Sequence, residues 1–121
     1  MMETRAQAEQ WGRRAEAWAA WLLRLKGYRI LARRFKTPVG EIDLAARRGG
    51  VLAVVEIKAR PDLADGMAAV TPAARRRIAR ATDAFLAYYG RPPRTVRFDV
   101  IVVRPWRLPR HIPDAWRPDM A

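Results

Sequence analysis

The chain has 121 residues, half of them hydrophobic, which is enough for one domain with one core. No apolar run reaches the roughly 18–20 residues needed to span a bilayer, and the lack of cysteine excludes disulfides, thiolate metal sites and cysteine nucleophiles, a composition suited to a reducing cytoplasm. Lys and Arg number 24 against 12 acids, a net charge of +12, which favours a polyanionic partner because phosphate contacts release condensed counterions.

In chain order, Met1-Met2-Glu3-Thr4-Arg5 leads into a charged helix rather than a signal peptide. Thr4-x-x-Gln7 reads as a capping box. Ala8, Trp11, Ala15, Trp18, Leu22 and Leu25 follow at spacings of three and four, the apolar stripe expected to face the core. Gly27 stops the helix after Arg24 and Lys26. Residues 28–36 read as a strand, and Thr37-Pro38-Val39-Gly40 as a turn. Residues 41–46 and 51–59 are strands joined at Gly49-Gly50, a two-residue hairpin signal. Val51 to Val55 are continuously apolar, so the second of these strands is expected to be buried on both faces.

Residues 60–70 read as a loop. Thr71-Pro72 is an N-cap followed by proline at the first helical position. The helix it opens runs to about Tyr89 and stops at Gly90, with Ile78, Ala81, Phe85 and Tyr88 or Tyr89 inward. Residues 96–103 are a strand. The tail from Arg104 carries four prolines and is expected to lack a long element, with Trp106, Ile112 and Trp116 available to dock on the body. One domain over 1–121 follows, an α/β chain with a parallel crossover attached to an antiparallel hairpin: a mixed sheet flanked by helices.

The hairpin has a chemical consequence. With residues 49 and 50 as the loop, Asp43 falls opposite Glu56, on one face. Two facing carboxylates beside a buried strand repel, unless a cation neutralises them. Mg²⁺ suits this need, because it binds through one or two carboxylates and keeps several waters. Lys58, two residues beyond Glu56, points to the same face, and the carbonyl of Ile57 lies between them as a further ligand. A bare Glu-x-Lys on a strand usually marks a solvated face or an ion pair. The apolar strand around this one and the acid across the hairpin shift the balance towards a site.

These residues carry a resemblance. Asp43 followed by Glu56-Ile57-Lys58, on a hairpin after a helix bearing an acid, resembles the PD-(D/E)XK nuclease superfamily, and within it the small bacterial YraN-like family, similar in outline to archaeal Holliday-junction resolvases. The matching stretches cover nearly the whole chain: Ala15-Glu16, residues 27–31, Gly40-Glu41-Ile42-Asp43-Leu44, residues 55–60, Val70-Thr71-Pro72, Arg97-Phe98-Asp99-Val100 and His111-Ile112. The resemblance implies a restriction-endonuclease-like αβββαβ core. It also implies a Mg²⁺- or Mn²⁺-dependent phosphodiesterase site with Asp43 and Glu56 as metal-binding acids, Lys58 as catalytic lysine and Glu16 as the first-helix acid. Two positions depart from the family pattern: Arg34 stands where asparagine is usual, and Ala74 where lysine is usual.

Arg75, Arg76, Arg77 and Arg80 form a basic patch near a helix N-terminus, where they oppose the helix dipole and invite a phosphate. Arg60, directly after the Glu-x-Lys stretch, joins them as a candidate nucleic-acid contact; a solvated face is the plainer alternative for all five. Gly12, in a helix interior, suggests close approach by a backbone or a ligand. Glu41 shares a strand face with Asp43. Asp99 is expected to hydrogen-bond structurally, and His111, the only histidine, makes a weak ligand or general base. Trp11 and Trp18 are expected in the core rather than stacking bases. The chain has no serine and no phosphate-binding glycine loop, so Ser-His-Asp and P-loop chemistry are excluded.

Three functions follow: a metal-dependent endonuclease on DNA, with branched or structured DNA among its candidate substrates, for which a homodimer would suit a two-strand cut; a non-catalytic nucleic-acid-binding module on the same fold; and an adaptor using the Trp- and Pro-rich tail.

Overall fold

A computed structural model describes residues 4–118; the start of the chain and the side chain of Ala8 lie outside the described residues. Thr4 accepts from Gln7 N–H while the Gln7 side chain accepts from Thr4 N–H, and this capping box opens α1, Arg5–Leu25. Gly27 follows at φ 90°, and the chain enters β1, Arg29–Thr37. β2, Gly40–Arg48, and β3, Val51–Ala59, form the expected two-residue hairpin, with Gly49 at φ 60°. α3, Pro72–Tyr89, starts at the Thr71 cap and ends at left-handed Gly90. β4 is Thr95–Val103.

The sheet order is β1-β2-β3-β4-β5, the last strand being Arg110–Trp116. β3 and β4 run parallel through the α3 crossover, and every other neighbouring pair is antiparallel. This is the mixed α/β architecture expected, a five-stranded sheet flanked by helices and consistent with a restriction-endonuclease-like fold. α1 covers one face, over Leu44, Ala46, Ala53, Val55 and Ile101. α3 covers the other, with Ile78, Ala81 and Phe85 against Ile42, Leu52, Val54, Val100 and Val102. Tyr89 stacks on Phe85, whereas Tyr88 is exposed.

Three expectations change. Residues 60–70 are not all loop, because Asp62 caps a short helix, α2, Leu63–Ala68, that lies flush on β4. A Cβ at Gly66 would come within 2.5 Å of Val102, so only glycine permits that approach. The tail, read as too proline-rich for a long element, supplies a seven-residue strand, β5, Arg110–Trp116, at the sheet edge. Pro113 sits in an irregularity of this strand, between the pairs Val100↔Ile112 and Phe98↔Trp116, where its missing N–H breaks no regular ladder. Trp116 docks as expected, buried and stacked on Phe98 with centroids 4.3 Å apart, and Ile112 is partly buried, but Trp106 is fully exposed.

The third change is the inward face of α1. Ala15, Ala19, Ala20 and Leu23 are buried, Trp11 and Leu22 are partly buried, and Trp18 and Leu25 are 48% and 65% exposed. The stripe of largest side chains is therefore not the core stripe. Alanines on α1 meet alanines of the sheet, so helix and sheet lie close and leave no room for an indole.

Candidate active site

The β2–β3 register is the expected one, but its pairing stops at Leu44↔Val55 and the strands part beyond it. Asp43 and Glu56 are the next residues along. They meet across a gap rather than as a ladder pair. Asp43 Oδ2 accepts the Ile57 N–H at 2.9 Å, in place of a main-chain acceptor on β2. A strand residue turns its N–H and C=O to the same side, so the Ile57 carbonyl also faces this gap.

Glu56 is the most perturbed acid of the site. Burial, then a hydrogen bond to Asp43 and the Asp43 charge, push its carboxyl up to about 9, against the pull of Lys58. At neutral pH it keeps its proton and donates to Asp43. Lys58 Nζ lies 3.9 Å from Glu56 Oε1, with both side chains mostly buried.

A cavity of about 210 Å³ opens on the α1 side, lined by Glu16, Arg34, Glu41, Asp43 and Ile57 among others. Strand alternation puts Ile57 on this side and Glu56 and Lys58 on the other, with Asp43 between. The acids thus form two overlapping groups, Glu16 with Asp43 and Asp43 with Glu56, and Glu41 lies near both. Glu16 is engaged by Arg34, whose Nε donates to Oε2 at 2.7 Å. That hydrogen bond and charge raise the Arg34 pKa, with further contributions from Glu41 and Asp43. Arg34 holds φ 50°, a left-handed conformation that asparagine adopts more readily than arginine. The usual asparagine here suits the backbone, and arginine adds a cation beside the acids.

Asp43 and Glu56 with the Ile57 carbonyl can hold one hard divalent ion, since such an ion keeps several waters and needs no third carboxylate. The buried like-charge pair, sharing a proton, is the kind of donor set such an ion neutralises. Among the described residues, no three His, Asp or Glu side chains converge as a metal-binding group. Gly12 lines the cavity with open space around it, so no backbone approaches it and the expectation of close protein packing there fails.

Of the candidate nucleic-acid contacts, Arg76, Arg77 and Arg80 are exposed, whereas Arg75 is partly drawn into the fold through Val70 O at 3.1 Å and the Trp116 ring. Arg75, Arg76 and Arg80 share a cavity with Arg117 on the α3 side, away from the Glu16 cavity. Arg77 belongs to the seat of α3 on the start of β2, where a Cβ at Gly40 would lie 2.5 Å from its carbonyl oxygen. Arg60 is exposed and bonds its neighbour's carbonyl, Ala59 O, at 2.8 Å.

Sequence reasoning underrated one cluster. Asp99 is fully buried and accepts from Arg97 through both oxygens at 2.8 Å, from Asp114 N–H at 2.9 Å, and lies 2.8 Å from His111 Nε2. Burial alone would raise its pKa, but the bonds from His111, Arg97 and the Asp114 N–H outweigh that and hold it at about 2. Lys26 Nζ meets His111 Nδ1 at 2.9 Å, and Arg97 also bonds the Tyr28 hydroxyl. Lys26 can only donate, so His111 Nδ1 accepts and Nε2 carries the proton to Asp99. The expected structural role of Asp99 is correct. Arg97-x-Asp99, two apart on one strand face, was the available signal.

No helix among the described residues is long and apolar enough to cross a membrane. The chain is 58% identical over 102 residues to the UPF0102 protein of Bartonella bacilliformis, covering 84% of each. It is 48% identical over 115 residues to that of Sphingopyxis alaskensis, covering 95% of this chain and 99% of the relative. With Paramagnetospirillum magneticum the figure is 52% over 119 residues, covering 93% and 91%. Residues 15–103, which hold the acids, the lysine and the buried Asp99, also match the profile described as Uncharacterised protein family UPF0102, and the chain belongs to that family.

Proposed function

We propose that this protein is a divalent-metal-dependent endonuclease that cleaves DNA, branched or structured in preference to plain duplex, by water attack on a phosphodiester, in the manner of the PD-(D/E)XK nucleases. The observation that carries the reading is the meeting of Asp43 with the mostly buried Glu56 at the parting of β2 and β3, with Lys58 Nζ 3.9 Å from Glu56. Two adjoining carboxyls in such a place need a proton or a cation to neutralise one of them, and a divalent-ion site uses such a pair. Mg²⁺ or Mn²⁺ supplies charge stabilisation at the phosphate and a more acidic water. Asp43, Glu56 and the Ile57 carbonyl would hold it. Lys58 brings a donor and a positive charge to the same acids, where it can orient the attacking water or steady the charge growing on the phosphate. Glu16 orders Arg34 at the cavity wall, and Arg60, Arg76, Arg77 and Arg80 supply phosphate contacts around the body. The net charge of +12 draws the polyanion in.

The test is incubation with junction, flap, single-stranded and linear DNA and each metal. Cleavage of at least one, abolished by Asp43→Ala, is expected; no cleavage of any, or cleavage indifferent to that substitution, sinks the reading.

A second reading, a non-catalytic nucleic-acid-binding module, is favoured by two observations: no three acids converge among the described residues, and Arg34 already pairs with Glu16. It predicts salt-sensitive DNA binding with no calorimetric Mg²⁺ site. A Mg²⁺ site lost in Glu56→Ala counts against it.

A further inference from the structure

The described surface carries one aromatic groove that neither the core nor the acid site uses. It measures about 450 Å³ and is lined by Trp11, Trp18, Trp106, Arg104, Arg107 and Leu108, among others. Trp18 is half exposed, Leu108 is 70% exposed, and Trp106 is as accessible as a free side chain. Three features give this surface a direction. First, its lining includes two arginines and no acid. Second, Arg104, one of the lining residues, has its Nε buried without a hydrogen-bond acceptor among the described residues. Third, Trp106 sits at φ 60°, a strained conformation for a bulky residue, although its side chain contributes nothing to the core. Glycine would serve the turn better, so packing does not explain the indole.

The groove borders the acid cavity. Trp11 precedes Gly12, which lines that cavity, and Val103 of the groove pairs with Ala59 of the cavity wall at the ends of β4 and β3. We propose that this groove binds the unpaired bases of a DNA strand, which stack on Trp18 and Trp106 while Arg104 and Arg107 take the flanking phosphates. The assignment rests on the nuclease reading for its purpose: it names substrates with a single-stranded segment next to the scissile phosphate. Bases in a continuous duplex are stacked on each other and present no free face to an indole. Interleaved aromatic rings and arginines are the surface that unpaired nucleotides recognise, whereas a second copy of this +12 chain would bring like charge against Arg104 and Arg107.

The experiment measures binding of a fluorescein-labelled oligo(dT) and of a duplex of equal length to the full chain in EDTA, by anisotropy. The variants are Trp18→Ala, Trp106→Ala, Trp106→Phe and Trp106→Gly, each checked by thermal melting. The wild type should bind the single strand more tightly than the duplex. Each alanine variant should weaken single-strand binding by about tenfold, the scale of one base–aromatic stack, and leave duplex binding within twofold. Trp106→Phe should restore most of the affinity. Trp106→Gly should melt no lower than wild type while binding as poorly as Trp106→Ala. Unchanged oligo(dT) affinity in the alanine variants overturns the proposal. So does a concentration-dependent dimer in sedimentation that Trp106→Ala dissolves, because the groove would then belong to a second copy. Since no metal is present, absence of cleavage elsewhere alongside Trp-dependent single-strand binding refutes the nuclease reading and leaves the groove standing.

Discussion

Glu56 puts the chemistry of the site into a pH dependence. Its ordinary carboxyl value of 4.5 rises to about 9 in the folded chain, chiefly through burial and then through Asp43. Between those values the native state holds a proton that the unfolded chain releases. The stability Glu56 contributes is therefore complete below pH 4.5 and drains away as pH rises towards 9, at up to about 1.4 kcal/mol per pH unit. Glu56→Gln should remove that slope, so urea melts at pH 5, 7 and 9 should show the variant gaining on wild type as pH increases. Divalent-ion affinity, measured by calorimetry, should climb over the same window in wild type, because the proton and the ion compete for one acid pair. Arg34 yields a second test. Its Glu16 partner is an ion pair with one side chain half exposed, worth little, whereas its φ of 50° strains an arginine. Arg34→Asn should leave stability unchanged or raise it by up to about 1 kcal/mol, read as the urea midpoint.

At the scale of elements, β5 is held by two devices. Trp116 fills the core against Phe98, and Asp99 ties the irregular stretch around Asp114 to β4. Trp116→Ala should cost about 3–5 kcal/mol, the usual range for a large buried aromatic, seen as a lower thermal midpoint. Asp99 works by ionisation. Its folded pKa of about 2 lies below its ordinary 3.8, so its contribution is full above pH 3.8 and lost as pH falls towards 2. Asp99→Asn should be destabilised at neutral pH and should lose the part of the acid-unfolding slope that falls in that window. Helix seating was only partly legible. The Thr4 and Thr71 caps, Gly27, Gly90 and the 49–50 turn act through neighbouring backbone, and local chemistry found them all. The α1 face was misjudged because which side of an amphipathic helix is buried depends on the sheet beneath it. There the small side chains of Ala46 and Ala53 select alanines over tryptophans.

At the scale of the whole molecule, the positive charge should dominate affinity. If Arg76, Arg77 and Arg80 contact phosphates, the plot of log K against log salt for DNA should lose up to about 0.9 units of slope per arginine removed. A triple alanine variant tested by anisotropy at 50–200 mM salt checks this; an unchanged slope assigns those arginines to solvent. The cavity that Arg75, Arg76 and Arg80 share with Arg117 lies on the α3 side and the Glu16 cavity on the α1 side, so a polyanion touching both would have to wrap the sheet edge rather than cross one face.

Residue order alone determined the β2–β3 register, and through it the meeting of Asp43 with Glu56, because a two-residue turn permits one alignment of the strands it joins. It determined the helix ends for the same kind of reason, because the interactions responsible are short in sequence, and it pointed to the β3–α3–β4 crossover through the strand–helix–strand order. Only the tertiary structure decided that β2 and β3 part at Asp43, that Glu56 is buried enough to keep its proton, that Arg34 neutralises Glu16, and that the tail closes the sheet as β5. Each of these depends on what a distant segment does to local solvation or packing. Trp11 and Trp18 mark the same boundary: their spacing gave them a helix face, and the close approach of that helix to the sheet left Trp11 only partly buried and Trp18 half exposed.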